Sequence, residues 1–265
     1  MLKKFIISIL QTAGGNDTAI VDGFVPKSLR KVLNDRIIKQ FPNVEQCGFC
    51  EFKAKKDLVK FSMMGGEFSG NAILAITYAV LKGKNGGLNI KSSGSNKILK
   101  TGIRDNVVFS EIPIFKSFAS VKQLNTNTFL VILKGINHLV VYKKISKNRI
   151  ISAAERLLNQ FDLIKYKCSG CIFVEIERSD VLKINPVVWI KNVKTLTYET
   201  SCGSGSVAVG LSKLKRSQKN QINLKIKQPS NNYIIVKAKK SKNSFLRVSI
   251  EGKVKLLMTN QNISL

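Results

Sequence analysis

The chain is short of acid. Its 265 residues hold 16 Asp and Glu against 44 Lys and Arg, a formal charge of +28, with one histidine, one tryptophan, five prolines and five cysteines. Each scarcity excludes something. A single histidine, His138, leaves a His-based metal site without support, and a lone histidine is more often structural than part of a Ser–His triad. An odd number of cysteines argues against a secreted disulfide scaffold, so the thiols read as reduced and the protein as cytoplasmic. The longest strongly apolar run, Ala72–Leu81, has ten residues, too few to span a bilayer, and no membrane partner is expected. Lys3-Lys4 followed by Phe5–Leu10 is too short for a secretion signal and reads as part of a first strand. Gly14-Gly15-Asn16 lacks the GxGxxG pattern and no Walker sequence occurs, so nucleotide binding has no anchor.

The basic surplus is scattered, as at Lys53, Lys55, Lys56, Lys60, Lys213 and Lys237, and lysine greatly outnumbers arginine, the better reader of bases and phosphates. It reads as a solvated coat with non-specific polyanion binding as a side effect. Two CxxC pairs, Cys47 with Cys50 and Cys168 with Cys171, start 121 residues apart, whereas ribbon-type zinc sites keep their pairs roughly 15–20 apart. Both pairs fall in or beside expected strands, where residues three apart point to opposite faces. The thiols therefore read as small apolar residues, and neither a metal nor a cofactor is expected.

What is present is a folded chain, 44% apolar, of a length that suits two domains. In the first half the pattern predicts strands at Leu2–Ile9, Cys47–Phe52 and Val59–Met63. Pro26 opens a helix with Leu29, Val32, Leu33 and Ile37 on one face, ending near Gln40. A helix apolar nearly all round runs to Leu81, which marks it as buried. Strands at Leu88–Ser92, Ile98–Lys100 and Val107–Ile112 follow. The second half repeats the order. It has strands at Phe129–Leu133 and His138–Lys143, a helix with a Ser152/Glu155 capping box, and strands at Cys171–Glu177, Val187–Ile190 and Thr195–Tyr198. A second buried helix and four closing strands complete it. The fold class is α+β: two pseudo-symmetric lobes, each a mostly antiparallel sheet curled around a central helix, with an active site in the cleft between them. The lobes are expected at 1–120, with strand 254–265 as a candidate to join it, and at 121–253. Ser117–Asn125 is polar enough to link the halves.

The two buried helices begin alike. Ser69-Gly70-Asn71-Ala72 opens the first and Cys202-Gly203-Ser204-Gly205 the second, 133 positions apart. A helix start carries free backbone N–H groups and partial positive charge, so it binds anions and lowers the pKa of a thiol placed there. Two such starts facing one another would hold one carboxylate and flank one carbon, a site for moving a proton across a stereocentre.

These residues resemble the diaminopimelate epimerase-like superfamily of cofactor-independent racemases and epimerases, and within it the histidine racemases of opine-metallophore pathways. The resemblance rests on Gly66-Glu67-Phe68-Ser69-Gly70-Asn71-Ala72 and Ser201-Cys202-Gly203-Ser204-Gly205. Support comes from Gly15-Asn16-Asp17-Thr18, Glu45-Gln46-Cys47-Gly48-Phe49, Glu199-Thr200-Ser201-Cys202, Gln228-Pro229 and the pair Asn137-His138. Two departures matter. Diaminopimelate epimerases carry a Glu-Arg pair where this chain has Val193 and Lys194, which argues against that substrate. The family's first cysteine is Ser69 here, and two origins fit: a Cys→Ser change introduced to trap ligand, and a natural Ser/Cys pair.

The resemblance implies an amino-acid racemase, with histidine as the favoured small-molecule substrate and a homodimer as a candidate assembly. Residues 69 and 202 would exchange the Cα proton from opposite faces. Backbone N–H groups around Gly70, Asn71, Gly203 and Ser204 would stabilise the charge on the carboxylate. Asn16, Asn71 and Glu199 would take the α-ammonium, Glu45 and Gln46 the side chain, and Glu67 and Asn137 would complete the binding set. An alkoxide is far harder to form than a thiolate, so a chain with Ser69 should bind substrate and racemise it very slowly. Two rivals remain. One is a racemase, epimerase or dehydratase using the Ser/Cys pair on another amino acid; the other is a polyanion-binding protein on the same fold.

Overall fold

A computed structural model describes residues 3–50 and 58–265. Leu2, the Glu51-Phe52 end of one expected strand, and Lys53, Lys55 and Lys56 lie outside the described residues. The chain divides into two compact units, Met1–Glu111 with Glu251–Leu265, and Ile112–Ile250. Strand dominates over helix, and the class is α+β.

The first unit opens with a hairpin of β1 (Lys4–Gln11) and β2 (Asp17–Asp22) in antiparallel register. Helix α1 (Lys27–Gln40) follows Pro26 and carries the chain to β3 (Val44–Cys50), which lies parallel to β2. Leu33 and Ile37 are buried beneath α1, but Val32 is 54% exposed, so the apolar stripe is narrower than its spacing suggests. Strand β4 (Val59–Met63) returns antiparallel to β3, helix α2 (Gly70–Leu81) follows, and β5 (Gly86–Ser92) runs parallel to β4. Strands β6 (Ile98–Arg104) and β7 (Val107–Glu111) complete an antiparallel meander. Helix α2 is buried from Gly70 to Thr77, as an all-round apolar helix must be. Its internal polar group is satisfied locally: the Thr77 hydroxyl donates to the Ile73 carbonyl at 2.6 Å.

The second unit runs through the same series. Strands β8 (Val121–Asn125), β9 (Thr128–Leu133) and β10 (Ile136–Tyr142) pair antiparallel. Helix α3 (Ile150–Gln160) leads to β11 (Cys168–Ile176), parallel to β10. Strand β12 (Val181–Ile190) is antiparallel to β11, and β13 (Thr195–Tyr198) antiparallel to β12. Helix α4 (Gly203–Arg216) precedes β14 (Gln221–Lys227), which lies parallel to β12 as β5 does to β4. Strands β15 (Tyr233–Lys240) and β16 (Phe245–Gly252) follow. The last strand, β17 (Lys255–Ser264), pairs antiparallel with β1.

Three sequence expectations are corrected. Residues 117–125 are not a linker. They form a short 3-10 turn and β8, which pairs β9 through a buried Val121; the polar run reflects outward side chains from Lys122 to Asn125. The Ser152/Glu155 box does not cap α3, because a 3-10 turn at Lys147–Arg149 runs straight into the helix. Ser152 lies inside it and its hydroxyl donates back to the Arg149 carbonyl. Strand β12 is longer than expected because Pro186, which breaks the pattern in sequence, sits in register opposite Ile172. One cysteine of each pair joins a core: Cys47 shares a buried cluster with Val21, Leu33 and Ile37, and Cys171 one with Leu139, Leu158 and Phe173, while Cys168 is half-exposed.

Helix α4 lies close against β15. An ideal Cβ at Gly210 would stand 2.6 Å from Cγ1 of Val236. Alanine is normally better than glycine in a helix by about 1 kcal/mol, but overpacking here opposes that gain. Gly210→Ala should lower stability by about 1–3 kcal/mol. Combined with Val236→Ala it should lose less than the two single changes together, measured by urea unfolding.

Candidate active site

Helices α2 and α4 start in the same way. Ser69 caps α2 with extended backbone (φ −127°, ψ 118°), and its hydroxyl oxygen accepts the Ala72 N–H at 3.2 Å. Cys202 caps α4 with φ −131° and ψ 103°, and its sulfur accepts the Gly205 N–H at 3.3 Å. In each case the carbonyl of the cap takes the next helical bond, from Ile73 or Ser206. The N–H groups of Gly70, Asn71, Gly203 and Ser204 lie ahead of the helical ladder, where backbone donors point out of the helix end. Ser69 is half-buried and Cys202 buried.

The chain entering α2 is held from behind. The Ser93 hydroxyl accepts the Met63 N–H at 2.9 Å and donates to the Glu67 carbonyl at 2.8 Å. Gly94 sits at φ +67°, and a Cβ there would come within 2.4 Å of the Phe68 nitrogen. That contact and the positive φ both demand glycine. The Glu67 side chain is exposed. Asn71, the second residue of the helix, is 6% exposed, and its Oδ1 is buried with no partner.

Of the other named polar residues of the first unit, Glu45 and Gln46 lie on β3 and Asn16 in the turn just before β2. The Gln46 amide donates to Asn16 Oδ1 at 2.7 Å and to the Thr18 hydroxyl at 2.9 Å. The Thr18 hydroxyl donates to Asn16 Oδ1 at 2.8 Å. Asn16 Oδ1 thus already receives two donors, which fits poorly with its expected role as an ammonium acceptor. Glu45, next along β3, is exposed.

The second unit gathers Glu199, Cys202, Ser204 and His138. Cys202 Sγ lies 3.6 Å from the Ser204 hydroxyl, which in turn is 2.9 Å from His138 Nε2. A lowered thiol pKa was expected at this helix start; the opposite holds. Burial and the Glu199 carboxylate, which accepts the thiol hydrogen, push Cys202 well above the usual thiol range. The Gly205 N–H and the Ser204 hydroxyl pull downward and are outweighed. Cys202 therefore rests as a protonated thiol. Asn137 is placed on β10 beside His138, in register with Ser169 and Ile132. The Ser201 hydroxyl is buried without a partner.

Sequence reasoning missed three of these contacts: the His138–Ser204 bond, the Ser93 bonds, and the Gln228 amide, whose Oε1 accepts the Cys202 N–H at 2.9 Å. For Gln228 and His138 the only signal was their place in short family-like fragments.

His138 is fully buried, with Nδ1 unpartnered. Gly170 makes room for it, since a Cβ there would stand 2.3 Å from Nδ1. Burial lowers its pKa to about 3, against an ordinary 6.5. The folded state therefore binds fewer protons than the unfolded state between those values, and His138 erodes stability as pH falls from about 6.5 towards 3. Urea unfolding at pH 7 and pH 4.5 should show this loss. In His138→Gln the pH-dependent part should shrink by a few kcal/mol (order of magnitude).

Residues 12–261 match the family model described as the histidine racemase CntK N-terminal domain. The chain is 32% identical over 231 residues to a histidine racemase of Fusobacterium nucleatum, covering 78% of this chain and 81% of that protein. In three dimensions it is similar to a hydroxyproline epimerase from Agrobacterium vitis, with a TM-score of 0.64, 13% identity, and coverage of 99% and 92% of the two chains. A PhzF-family protein of Enterococcus faecalis gives a TM-score of 0.62 at 13% identity over 99% of both chains. Among the described residues no helix is long and apolar enough to cross a membrane. The chain belongs to the histidine racemase family of that model, a family of amino-acid racemases.

Proposed function

We propose that this chain is a cofactor-independent histidine racemase whose proton-transfer positions are 69 and 202. The matching caps of α2 and α4 carry the reading. Each puts a nucleophile-type side chain on the first N–H groups of a buried helix, and each has a buried polar atom beside it without a protein partner, Asn71 Oδ1 in one unit and Ser201 Oγ in the other. A substrate carboxylate suits the N–H groups of Gly70, Asn71, Gly203 and Ser204, which would stabilise the charge that builds as Cα loses its proton. The α-ammonium suits Asn71 Oδ1, with Glu199 as a second acceptor. Asn16, its Oδ1 already occupied, has its amide donor to offer and suits the carboxylate instead. Gln46 spends its amide hydrogens on Asn16 and Thr18, which leaves Oε1 to accept an imidazole N–H. Glu45 stands next to it in sequence for the same side chain, and Glu67 and Asn137 complete the set.

Two bases are needed because one group cannot reach both faces of Cα. Cys202, protonated at rest, is the acid of the first half-reaction, and the base must then stand at position 69. Serine is a poor base there, so the chain as written binds substrate and turns it over very slowly. In the reverse sense Cys202 must first lose its proton, and Glu199 is placed to receive it. The charge of +28 adds a salt-sensitive affinity for polyanions with no part in the chemistry.

Ser69→Cys should raise the racemisation of histidine by about 10²–10⁴-fold, followed by polarimetry and by deuterium uptake at Cα from heavy water. Uptake without loss of water separates a racemase from a dehydratase. No gain with histidine or with any member of an amino-acid panel defeats the proposal.

A further inference from the structure

Gln228 has no part in the scheme above, yet it is completely buried and spends its whole side chain on the chain around Cys202. Its Oε1 accepts the Cys202 N–H at 2.9 Å. Its Nε2 donates to the Ser206 hydroxyl at 2.9 Å and to the Ile226 carbonyl at 3.0 Å. The Ser206 hydroxyl in turn donates to the Cys202 carbonyl at 2.8 Å. One amide thus grips residue 202 at both its backbone groups. The amide can be placed only one way round, because the reversed orientation would set donor against donor at Cys202 and acceptor against acceptor at Ile226. Its own backbone is held as well. Pro229 keeps the preceding residue extended, and the Gln228 N–H and carbonyl close a turn on Asn232 and Asn231.

The first unit has the same device at the same register. The parallel ladder of β4 and β5 ends at Phe61 opposite Ser92, and that of β12 and β14 at Lys183 opposite Lys227. The next residue is Ser93 in one case and Gln228 in the other. Ser93 holds the loop into Ser69, and Gln228 holds Cys202 itself. In both units the chain leaving the strand after the buried helix turns back to fix the entry to that helix.

We infer that Gln228 is a positioning residue for Cys202: it sets the direction of the Cα–Cβ bond at 202 and keeps Sγ on the Gly205 N–H. The inference rests on the racemase reading for its kinetic consequence, but not for its effect on the thiol. Gln228→Met keeps the bulk and removes every hydrogen bond. In the Ser69→Cys background it should lower kcat by about 100-fold, the cost of a misplacement near 1 Å, with KM changed by less than about 3-fold. Gln228→Glu provides rescue. A buried carboxyl stays protonated at low pH; it then keeps the acceptor for the Cys202 N–H and one of the amide's two donors. Its activity relative to the Ser69→Cys parent should be partly recovered at pH 6, above that of Gln228→Met, and fall as pH rises.

A readout independent of turnover is iodoacetamide alkylation of Cys202 against pH, followed by peptide mass spectrometry with the half-exposed Cys168 as internal reference. Loss of the clamp weakens the Gly205 hydrogen bond that favours thiolate, so the Cys202 midpoint should rise by about half a pH unit or more, with Cys168 unmoved. Should Gln228→Met not fold, Ser206→Ala cuts half of the clamp and should shift the midpoint in the same direction. Folded variants with the parent's midpoint and kcat overturn the inference. If Ser69→Cys acts on no amino acid, the racemase reading falls and the alkylation profile alone decides the clamp.

Discussion

Two helix starts are buried in this protein, and a buried helix start is costly unless its N–H groups find partners. Leaving one such donor unsatisfied costs about 1–3 kcal/mol, so α2 and α4 can stand in the cores only because Ser69 and Cys202 turn their side chains back onto the Ala72 and Gly205 N–H groups. The remaining donors, ahead of the ladder, have nothing in the helix to bind. On the proposed reading these are the donors that meet the substrate carboxylate. The rest of each unit supports this placement: a largely apolar α2 with its one threonine bonded inward, glycines at 94 and 170 where any side chain would collide with Phe68 or His138, and an α4 packed tightly against β15.

The electrostatics at Cys202 are a contest between dipole and burial. The helix start and the Gly205 hydrogen bond favour thiolate; desolvation and the adjacent Glu199 carboxylate favour the thiol, and the second pair wins. Glu199 is the acceptor on which the Cys202 hydrogen rests. The two-base proposal needs a proton held at one position and a base at the other, and a serine at 69 supplies the base poorly.

Much of the architecture could be read from residue patterns. Strands β4 and β13 fall at the residues expected, and α2 and α4 begin and run much as their caps and apolar residues imply, because both signals are local: period-2 alternation for a strand, and a small polar cap followed by a largely apolar stretch for a buried helix. Where reading failed, a neighbour had overridden the local signal. Val121 made a strand of a polar stretch by pairing with β9. Pro186 was accommodated inside β12. Ser152 lost its capping role to the turn before it.

The positions of Ser69 and Cys202 at helix starts were likewise visible, since serine or cysteine ahead of glycine and an apolar run has few other meanings. The side-chain partnerships were not. His138 meets Ser204 across 66 residues, Gln46 meets Asn16 across 30, and Gln228 meets Cys202 across 26. None of these pairings leaves a periodic trace, because each depends on which strands become neighbours and in what register. The chemical class of the two capping side chains is therefore written into the order of residues. Their protonation is not: the proton on Cys202 follows from how deeply the sulfur is buried and from the carboxylate brought beside it, and distance and desolvation exist only once the chain has folded.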